Sequence, residues 1–266
     1  MNEQASRFVG SIPENYDQGL GPFIFIDYAR DLAHRVAALR PDSVLELAAG
    51  TGILSSVLSD AIPQCCRLIV SDLNAPMLEV AKSKFGKNDQ VGFEVVDASD
   101  LQYGESSFDA VACQFGVMFF PDKLQSYREV HRVLKTGGSY LFNVWTSWAE
   151  NPFAQITHEA VETLFPSDPP GFYKVPFGYH DPDEIRDALL SAGFDSVTTE
   201  PVAITAKITS AAVFAKGLIF GNPVFEEITL RGGDPDVVFA SVKQTIENRL
   251  GDSMPLQALV VQAKKT

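Results

Sequence analysis

The residues whose types and spacing indicate chemistry lie between positions 43 and 72. Gly50 and Gly52 follow an apolar run that contains Glu46, and a second apolar run ends at Asp72. Glycine permits a tight turn and lets the backbone approach a ligand closely. A carboxylate at the end of a strand suits the two hydroxyls of a ribose. The pattern predicts a site for a nucleotide-sized ligand.

A strand, a glycine-rich turn and a helix must position these residues. Val44, Leu45 and Leu47 are typical of a buried strand. After the glycines, apolar residues keep helical spacing at Ile53, Leu54, Val57, Leu58 and Ala61. The N-terminus of this helix is therefore expected to point at the ligand.

The same segment argues against a dinucleotide site. The dinucleotide fingerprint requires a third glycine, and this chain has Ser55 at that position. A nicotinamide-dependent oxidoreductase is therefore kept only as an alternative.

Five segments carry a family resemblance: Glu46–Gly52, Asp72, Val96–Ala98, Phe108–Gln114 and Arg132–Gly138. Through them the chain resembles the class I S-adenosylmethionine-dependent methyltransferases, particularly small-molecule members of the group that includes ubiquinone and menaquinone biosynthesis methyltransferases. The resemblance is close over roughly residues 10–145 and covers the remainder only by the order of elements. The chain departs from it at Ala49, where many relatives carry cysteine, and at Thr136, which replaces a common proline.

The alternation of strand and helix patterns predicts an α/β fold with a doubly wound sheet. The resemblance implies seven strands, mostly parallel, in a Rossmann-like methyltransferase fold with an antiparallel last pair. We expect one domain over 1–266, with a cofactor-binding core at 10–145, a helical and aromatic cap insertion over the site at 146–180, and completion of the sheet at 181–266. The last strands are predicted at 197–208 and 256–263, with helices near 210–221 and 234–250.

The resemblance implies S-adenosyl-L-methionine as the cofactor and assigns its contacts. The turn at 48–52 would hold the methionine end, Asp72 the ribose and Asp97 the adenine amine, while Leu73 and Met77 would form the slot for the adenine ring and Tyr16 a lid. The full set of expected cofactor residues is Tyr16, Glu46, Ala48, Ala49, Gly50, Thr51, Gly52, Asp72, Leu73, Met77, Asp97, Ala98, Gln114 and Phe115.

The acceptor side is expected beyond the fourth strand, because ligands of open α/β sheets lie at the carboxyl ends of the strands. Phe119 and Trp145 are the candidate acceptor-binding residues. No catalytic residue is nominated. His131 is expected to be a surface or core residue, no partner acid can be identified for His158 or His180, and an activated sulfonium needs little acid-base assistance.

Composition limits the possible partners. The net charge is −13, which argues against nucleic acid as a partner. The three cysteines are too few and too irregularly spaced for a disulfide framework or a zinc site, and no metal site is predicted. No apolar stretch approaches the roughly 20 residues of a membrane span, and the first residues lack the order of a signal peptide. We expect a soluble, cytoplasmic protein whose oligomeric state stays open.

The sequence therefore predicts transfer of a methyl group to oxygen, nitrogen or carbon of a small, apolar or aromatic acceptor. An alternative is a catalytically silent protein that binds S-adenosylmethionine as a regulator or subunit, because methyl transfer requires no particular side chain.

Overall fold

The computed structural model of the protein describes residue 8, residues 10–86 and residues 88–266. The described residues contain seven strands, which form one sheet. Helices cover both faces of this sheet, so the predicted α/β class is confirmed. The strands are β1 (Ser43–Glu46), β2 (Arg67–Asp72), β3 (Val91–Val95), β4 (Phe108–Gln114), β5 (Leu134–Trp145), β6 (Ser196–Lys207) and β7 (Ser253–Lys264).

Ten α-helices occur in the described residues, with a π-helical turn at Gly21–Phe25 and 3₁₀ turns at Val117–Phe119 and Phe172–Lys174. The α-helices are α1 (Ile12–Gly19), α2 (Ile26–Ala38), α3 (Ile53–Ala61), α4 (Ala75–Ser83), α5 (Lys123–Val133), α6 (Pro152–Leu164), α7 (Pro182–Ser191), α8 (Ala211–Phe220), α9 (Val224–Leu230) and α10 (Pro235–Arg249).

The strand order is β3-β2-β1-β4-β5-β7-β6. Strands β1 to β5 pair in parallel, and β7 runs antiparallel to both β5 and β6, as the resemblance implies. The order reverses between β1 and β4, where Glu46 lies opposite Ala112. Ligands of open α/β sheets bind outside the carboxyl ends of the strands at such a reversal. The sheet therefore places the glycine turn after β1 beside the loop after β4.

Gly52 shows why this turn needs glycine. It precedes α3 with a φ of +78°, a left-handed conformation that side chains other than glycine rarely adopt. A Cβ atom at this position would also lie 2.8 Å from the Cβ of Ala81 in α4. Glycine thus lets α3 begin directly against α4, close to the end of β2.

Helices α6, α8, α9 and α10 come from two segments of the chain. Helix α6 comes from the predicted insertion at 146–180, while α8, α9 and α10 come from the segment between β6 and β7. Helix α10 packs against α6 and α8, and α1 packs against α8. The predicted helices near 210–221 and 234–250 are confirmed, whereas α1, α9 and the π-helical turn were not predicted.

Candidate functional site

A cavity of about 500 Å³ opens at the carboxyl ends of β1, β2 and β4. Its walls come from the loops that follow these strands, from the start of α4 and from the N-terminal segment that contains α1. Thirteen of the sixteen residues expected at the site line this cavity: Tyr16, Ala48, Ala49, Gly50, Thr51, Asp72, Leu73, Met77, Asp97, Ala98, Gln114, Phe115 and Phe119.

The turn after β1 has an unusual backbone. Ala48 has a φ of +50° and Gly50 a φ of +57°, so two of its residues are left-handed before Gly52. The Ala49 amide donates a hydrogen bond of 2.9 Å to the carbonyl of Ser71 in β2. This bond fixes the turn against the neighbouring strand and leaves Gly50 facing the cavity.

Asp72 joins the glycine turn to the end of β2. Its Oδ2 accepts the Gly50 amide at 2.8 Å, and its Oδ1 accepts the Asn74 amide at 2.7 Å. The residue lines the cavity although only 6% of its surface is exposed. Burial raises the pKa of Asp72, while the hydrogen bonds from Asn74 and Gly50 oppose that rise. The carboxylate is thus held rigidly at the position expected for a ribose contact.

Asp97 lies at the more open side of the cavity, after β3. Its Oδ1 accepts hydrogen bonds from the amide and hydroxyl of Ser99, at 2.8 and 2.6 Å. Leu73 and Met77 also line the cavity, and Leu73 follows β2 beside the end of β3, because Asp72 lies opposite Val95. Leu73 is 57% exposed, whereas Met77 is buried and packs with Phe8. An apolar slot next to a carboxylate is the combination that a flat, amine-bearing ring requires.

Tyr16 of α1 forms part of the cavity wall. Its ring stacks on Phe25 at 5.1 Å and meets Phe8 edge-on at 5.8 Å. Burial, with the nearby carboxylates of Asp72 and Asp17, raises the pKa of Tyr16 above its usual range. The phenol therefore stays protonated at neutral pH and can act as a hydrogen-bond donor.

Asp17, the next residue of α1, attaches this helix to the glycine turn. Its Oδ1 accepts the hydroxyl of Thr51 at 2.7 Å and also pairs with the ammonium of Lys84 at the end of α4. Since Thr51 lines the cavity, the attachment links the helix that carries Tyr16 to the floor of the site.

The wall after β4 is apolar and consists of Phe115, Gly116, Phe119, Phe120 and Pro121. Phe115 has a left-handed backbone, with a φ of +49°. Phe119 meets Phe8 edge-on at 6.1 Å and Phe172 of the 3₁₀ turn at 6.2 Å. This wall presents rings and no ionisable group, so it can orient an apolar molecule without exchanging protons with it.

Charge in the cavity has one sign. Among the described lining residues, Asp72 and Asp97 carry carboxylates, and none is lysine, arginine or histidine. Two carboxylates favour a cationic ligand and disfavour the pyrophosphate of a dinucleotide. The cavity thus suits a positively charged nucleoside.

Three expected site residues lie outside the lining. Gly52 shapes the turn and packs against Ala81, as described above, instead of facing the cavity. Trp145 is only 3% exposed and stacks on Phe115 with ring centroids 4.0 Å apart. Trp145 therefore does not line the cavity, because its ring fills the core behind the cavity wall.

Glu46 is the third of these residues and is fully buried. Neither of its carboxyl oxygens has a hydrogen-bond partner among the described residues, and the nearby hydroxyl of Ser55 in α3 is likewise unpartnered. Burial raises the pKa of Glu46 to about 8. The side chain is thus a largely neutral carboxyl beneath the turn instead of part of its surface.

The segment 146–180, expected as a cap over the site, contributes no residue to the lining of the cavity in the described part of the chain. The lining includes Phe8, Tyr16 and Phe25 of the N-terminal part instead. The aromatic rings of the insertion pack inward instead: Phe153 meets Phe214 of α8 at 5.8 Å, and Phe177 stacks on Trp145 at 5.9 Å. Burial of these rings explains the aromatic content of the insertion.

Several lining residues were not among the expected ones: Phe8, Phe25, Leu47, Ile53, Asn74, Val96, Ser99, Gly116, Phe120 and Pro121. Most of them neighbour expected residues in the same loops. The sequence could have indicated them, because each of these loops directly follows a predicted strand. Phe8 carries no such signal, because its place depends on packing against Tyr16, Met77 and Phe119, the last two of which are distant in the sequence.

Fold and cavity together define a seven-stranded α/β protein with a cavity of a kind that suits a nucleoside-like ligand, placed where the strand order reverses. The family model described as the ubiE/COQ5 methyltransferase family matches residues 9–167. The chain therefore belongs to the ubiE/COQ5 methyltransferase family.

Curated relatives match over part of their length. The ubiquinone/menaquinone biosynthesis C-methyltransferase of Hahella chejuensis is 36% identical over 102 residues, which are 37% of this chain and 41% of the relative. The demethylmenaquinone methyltransferase of Deinococcus radiodurans is 39% identical over 112 residues, 42% of this chain and 46% of the relative. The matched region thus spans less than half the length of either relative.

Solved structures share the fold. The YcgJ protein from Bacillus subtilis is 19% identical with a TM-score of 0.58, and the alignment covers 90% of this chain and 99% of that one. The phosphoethanolamine N-methyltransferase 2 of Haemonchus contortus, solved with S-adenosyl-L-methionine, is 15% identical with a TM-score of 0.60. That alignment covers 96% of this chain and 57% of the other. At these identities the likeness shows the fold alone.

None of the described helices is both long enough and apolar enough to cross a membrane.

Proposed function

We propose that the protein transfers the methyl group of S-adenosyl-L-methionine to a small apolar or aromatic acceptor. The observation that carries this proposal is a cavity at the strand reversal with two carboxylates, no basic side chain in its described lining and an apolar wall after β4. Membership of the ubiE/COQ5 methyltransferase family supports the same conclusion. The acceptor is of the kind that the relatives' names indicate, a demethylated quinol or a similar ring.

The residues present fit the cofactor. Asp72 would bind the ribose hydroxyls, Asp97 the adenine amine, and Leu73 and Met77 the faces of the adenine ring. The turn at 48–52 leaves room for the methionine end, since a Cβ at Gly50 would point towards the methyl of Met77, 3.6 Å away, inside the cavity. The backbone near Gln114 would receive the ammonium group, where its side chain holds the loop by donating to the Phe25 carbonyl at 2.9 Å.

When bound, the sulfonium supplies a methyl group that is already activated for transfer. The chain's own contribution is to hold donor and acceptor in line. The protonated phenol of Tyr16 closes the cofactor side, while Phe119 and Phe120 orient the acceptor ring. Because no lining side chain can take a proton at the acceptor wall, we propose that the acceptor releases its own proton to solvent. The three free thiols suit a reducing, cytoplasmic setting, which is part of the proposal.

Titration calorimetry with S-adenosylhomocysteine tests the cofactor assignment. Wild-type protein should bind, and Asp72→Ala should weaken binding more than tenfold, because hydrogen bonds to a charged group are lost from a buried site. Asp60→Ala is the matched control, since Asp60 is exposed on α3 away from the cavity. Unaltered affinity in Asp72→Ala would contradict the ribose contact, and preferential binding of NAD would contradict the cofactor.

Turnover separates an enzyme from a silent binding protein. Wild-type protein incubated with methyl-labelled S-adenosylmethionine and a panel of quinols, phenols and amines should place label in a product. Binding of the cofactor with no labelled product from any member of the panel would favour the regulatory alternative.

A further inference from the structure

We infer that Gly217 of α8 and Gly221, which directly follows that helix, are positioning residues for Tyr16, acting on cofactor affinity through the crossing of α8 with α1. The inference rests on the proposed function, because it concerns affinity for S-adenosylmethionine. It assigns a role in the site to a helix that contributes no residue to the cavity wall.

The crossing is close because glycine faces glycine. A Cβ atom built on Gly217 would lie 2.5 Å from the carbonyl carbon of Gly19 and 2.6 Å from its oxygen. A Cβ atom on Gly19 would lie 2.5 Å from the Cα of Gly217. These are contacts with backbone, which no change of side-chain rotamer can relieve. Any larger residue at either position must therefore move one helix away from the other.

Gly221 brings the same helix against Tyr16 itself. A Cβ atom on Gly221 would lie 2.8 Å from the amide nitrogen of Tyr16 and 2.9 Å from its Cα. The two glycines, one turn apart at the end of α8, thus define where the backbone of Tyr16 lies. Its ring then reaches the cavity wall and stacks on Phe25.

Helix α8 is held more firmly than α1. Phe214 and Leu218 are buried, the hydroxyl of Tyr173 donates to the Leu218 carbonyl at 2.6 Å, and Asn222 donates to the same carbonyl at 3.2 Å. Helix α1 has eight residues and packs mainly on α8, so its position depends on that contact. An added methyl group at the crossing therefore displaces α1, and with it Tyr16.

A double-mutant cycle tests this role, with S-adenosylhomocysteine affinity measured by calorimetry for wild type, Gly217→Ala, Tyr16→Ala and the double variant. Gly217→Ala should weaken binding about tenfold. In the Tyr16→Ala background the same substitution should have less than about a twofold effect, because the ring through which it acts is gone. A purely structural role of Gly217 would not produce this dependence on Tyr16.

Gly171→Ala is the matched control, because nothing lies within 4 Å of its added Cβ and its φ is ordinary; it should bind as wild type does. Gly221→Ala provides a second, independent cycle. Additive losses in the cycles, or wild-type affinity in both glycine variants, would overturn the inference. Failure of both variants to fold would also overturn it, since the crossing would then serve stability alone. Absence of binding by the wild type would instead overturn the proposed function.

Discussion

Ala48 and Gly116 face each other at the wall of the cavity so closely that a Cβ atom on Gly116 would lie 2.5 Å from the Cβ of Ala48. Gly116 has an ordinary φ of −104°, so glycine is required here for room and not for backbone conformation. The left-handed Ala48, at the turn after β1, thus constrains which residue the loop after β4 can carry.

We expect Gly116→Ala to lower the free energy of unfolding by about 1–3 kcal/mol through overpacking. Combining it with Ala48→Gly should recover part of the loss, because one of the two close contacts is removed while the Sγ of Cys113, 2.7 Å away, remains. Urea unfolding of the two single variants and the double variant measures this. Gly104→Ala, whose Cβ would make only an ordinary contact at 3.6 Å, is the control. If Gly116→Ala and the double variant lose the same free energy of unfolding, the close contact between Ala48 and Gly116 is not the cause of the loss.

Glu46 should make stability depend on pH in the cofactor-free protein. Its folded pKa, about 8, lies above the usual 4.5, so its contribution is fully present below pH 4.5 and is lost as the pH rises towards 8. Glu46→Gln keeps the shape of the neutral carboxyl group and removes its titration. The variant should resemble the wild type at pH 5 and exceed it at pH 8 by an amount on the order of a few kcal/mol. Urea unfolding at both pH values tests this. If the two proteins differ in their free energy of unfolding by the same amount at pH 5 and pH 8, the prediction is refuted.

Asp17→Ala should both destabilise the protein and weaken cofactor binding. The substitution removes the acceptor for Thr51 and the partner of Lys84, with an expected cost of about 1–2 kcal/mol in the free energy of unfolding. Affinity for S-adenosylhomocysteine should fall as well, since Thr51 lines the cavity. Asp27→Ala breaks the exposed pair with Arg30 in α2 and should cost less than about 1 kcal/mol, with unchanged affinity. Similar results for both variants would argue against a role for Asp17 in the site.

Trp145→Ala should act on stability first. Removing a buried ring that stacks on Phe115 and Phe177 should cost about 3–5 kcal/mol in the free energy of unfolding. Trp148→Ala is the comparison, because Trp148 is only half-buried and its loss should cost less. Denaturation monitored by circular dichroism measures both. A stable Trp145→Ala protein with altered acceptor selectivity would restore the acceptor role that the structure argues against.

The parts of the fold that local patterns specify were predictable. Apolar runs located the central strands β1, β2, β4 and β5, and Gly50 with Gly52 located the turn, because burial on both faces and positive φ leave direct traces in residue type. Asp72 was found for the same reason, as an acid at a strand end. These residues lie close together because parallel strands bring their carboxyl ends to one edge of the sheet.

Residues whose role depends on tertiary packing were not predictable. A strand buried on both faces has no polar side, so alternation could not show that Glu46 is fully buried and does not line the cavity. Trp145 ends β5, and only the packing of Phe115 decides that its ring lies behind the wall. Phe8 and α1 cover the site through long-range contacts such as the one between Gly19 and Gly217, which no local pattern reports.

The division of the cavity between separate loops has a consequence for how this protein can change. Under the proposed function the methyl donor would lie against the ends of β1, β2 and β3, whereas the lining on the other side comes from the short stretch Phe115–Pro121. Substitutions in that stretch can reshape one compartment while the other keeps its geometry. We expect selectivity among acceptors to evolve through substitutions at these seven positions, while the residues that bind the methyl donor stay the same.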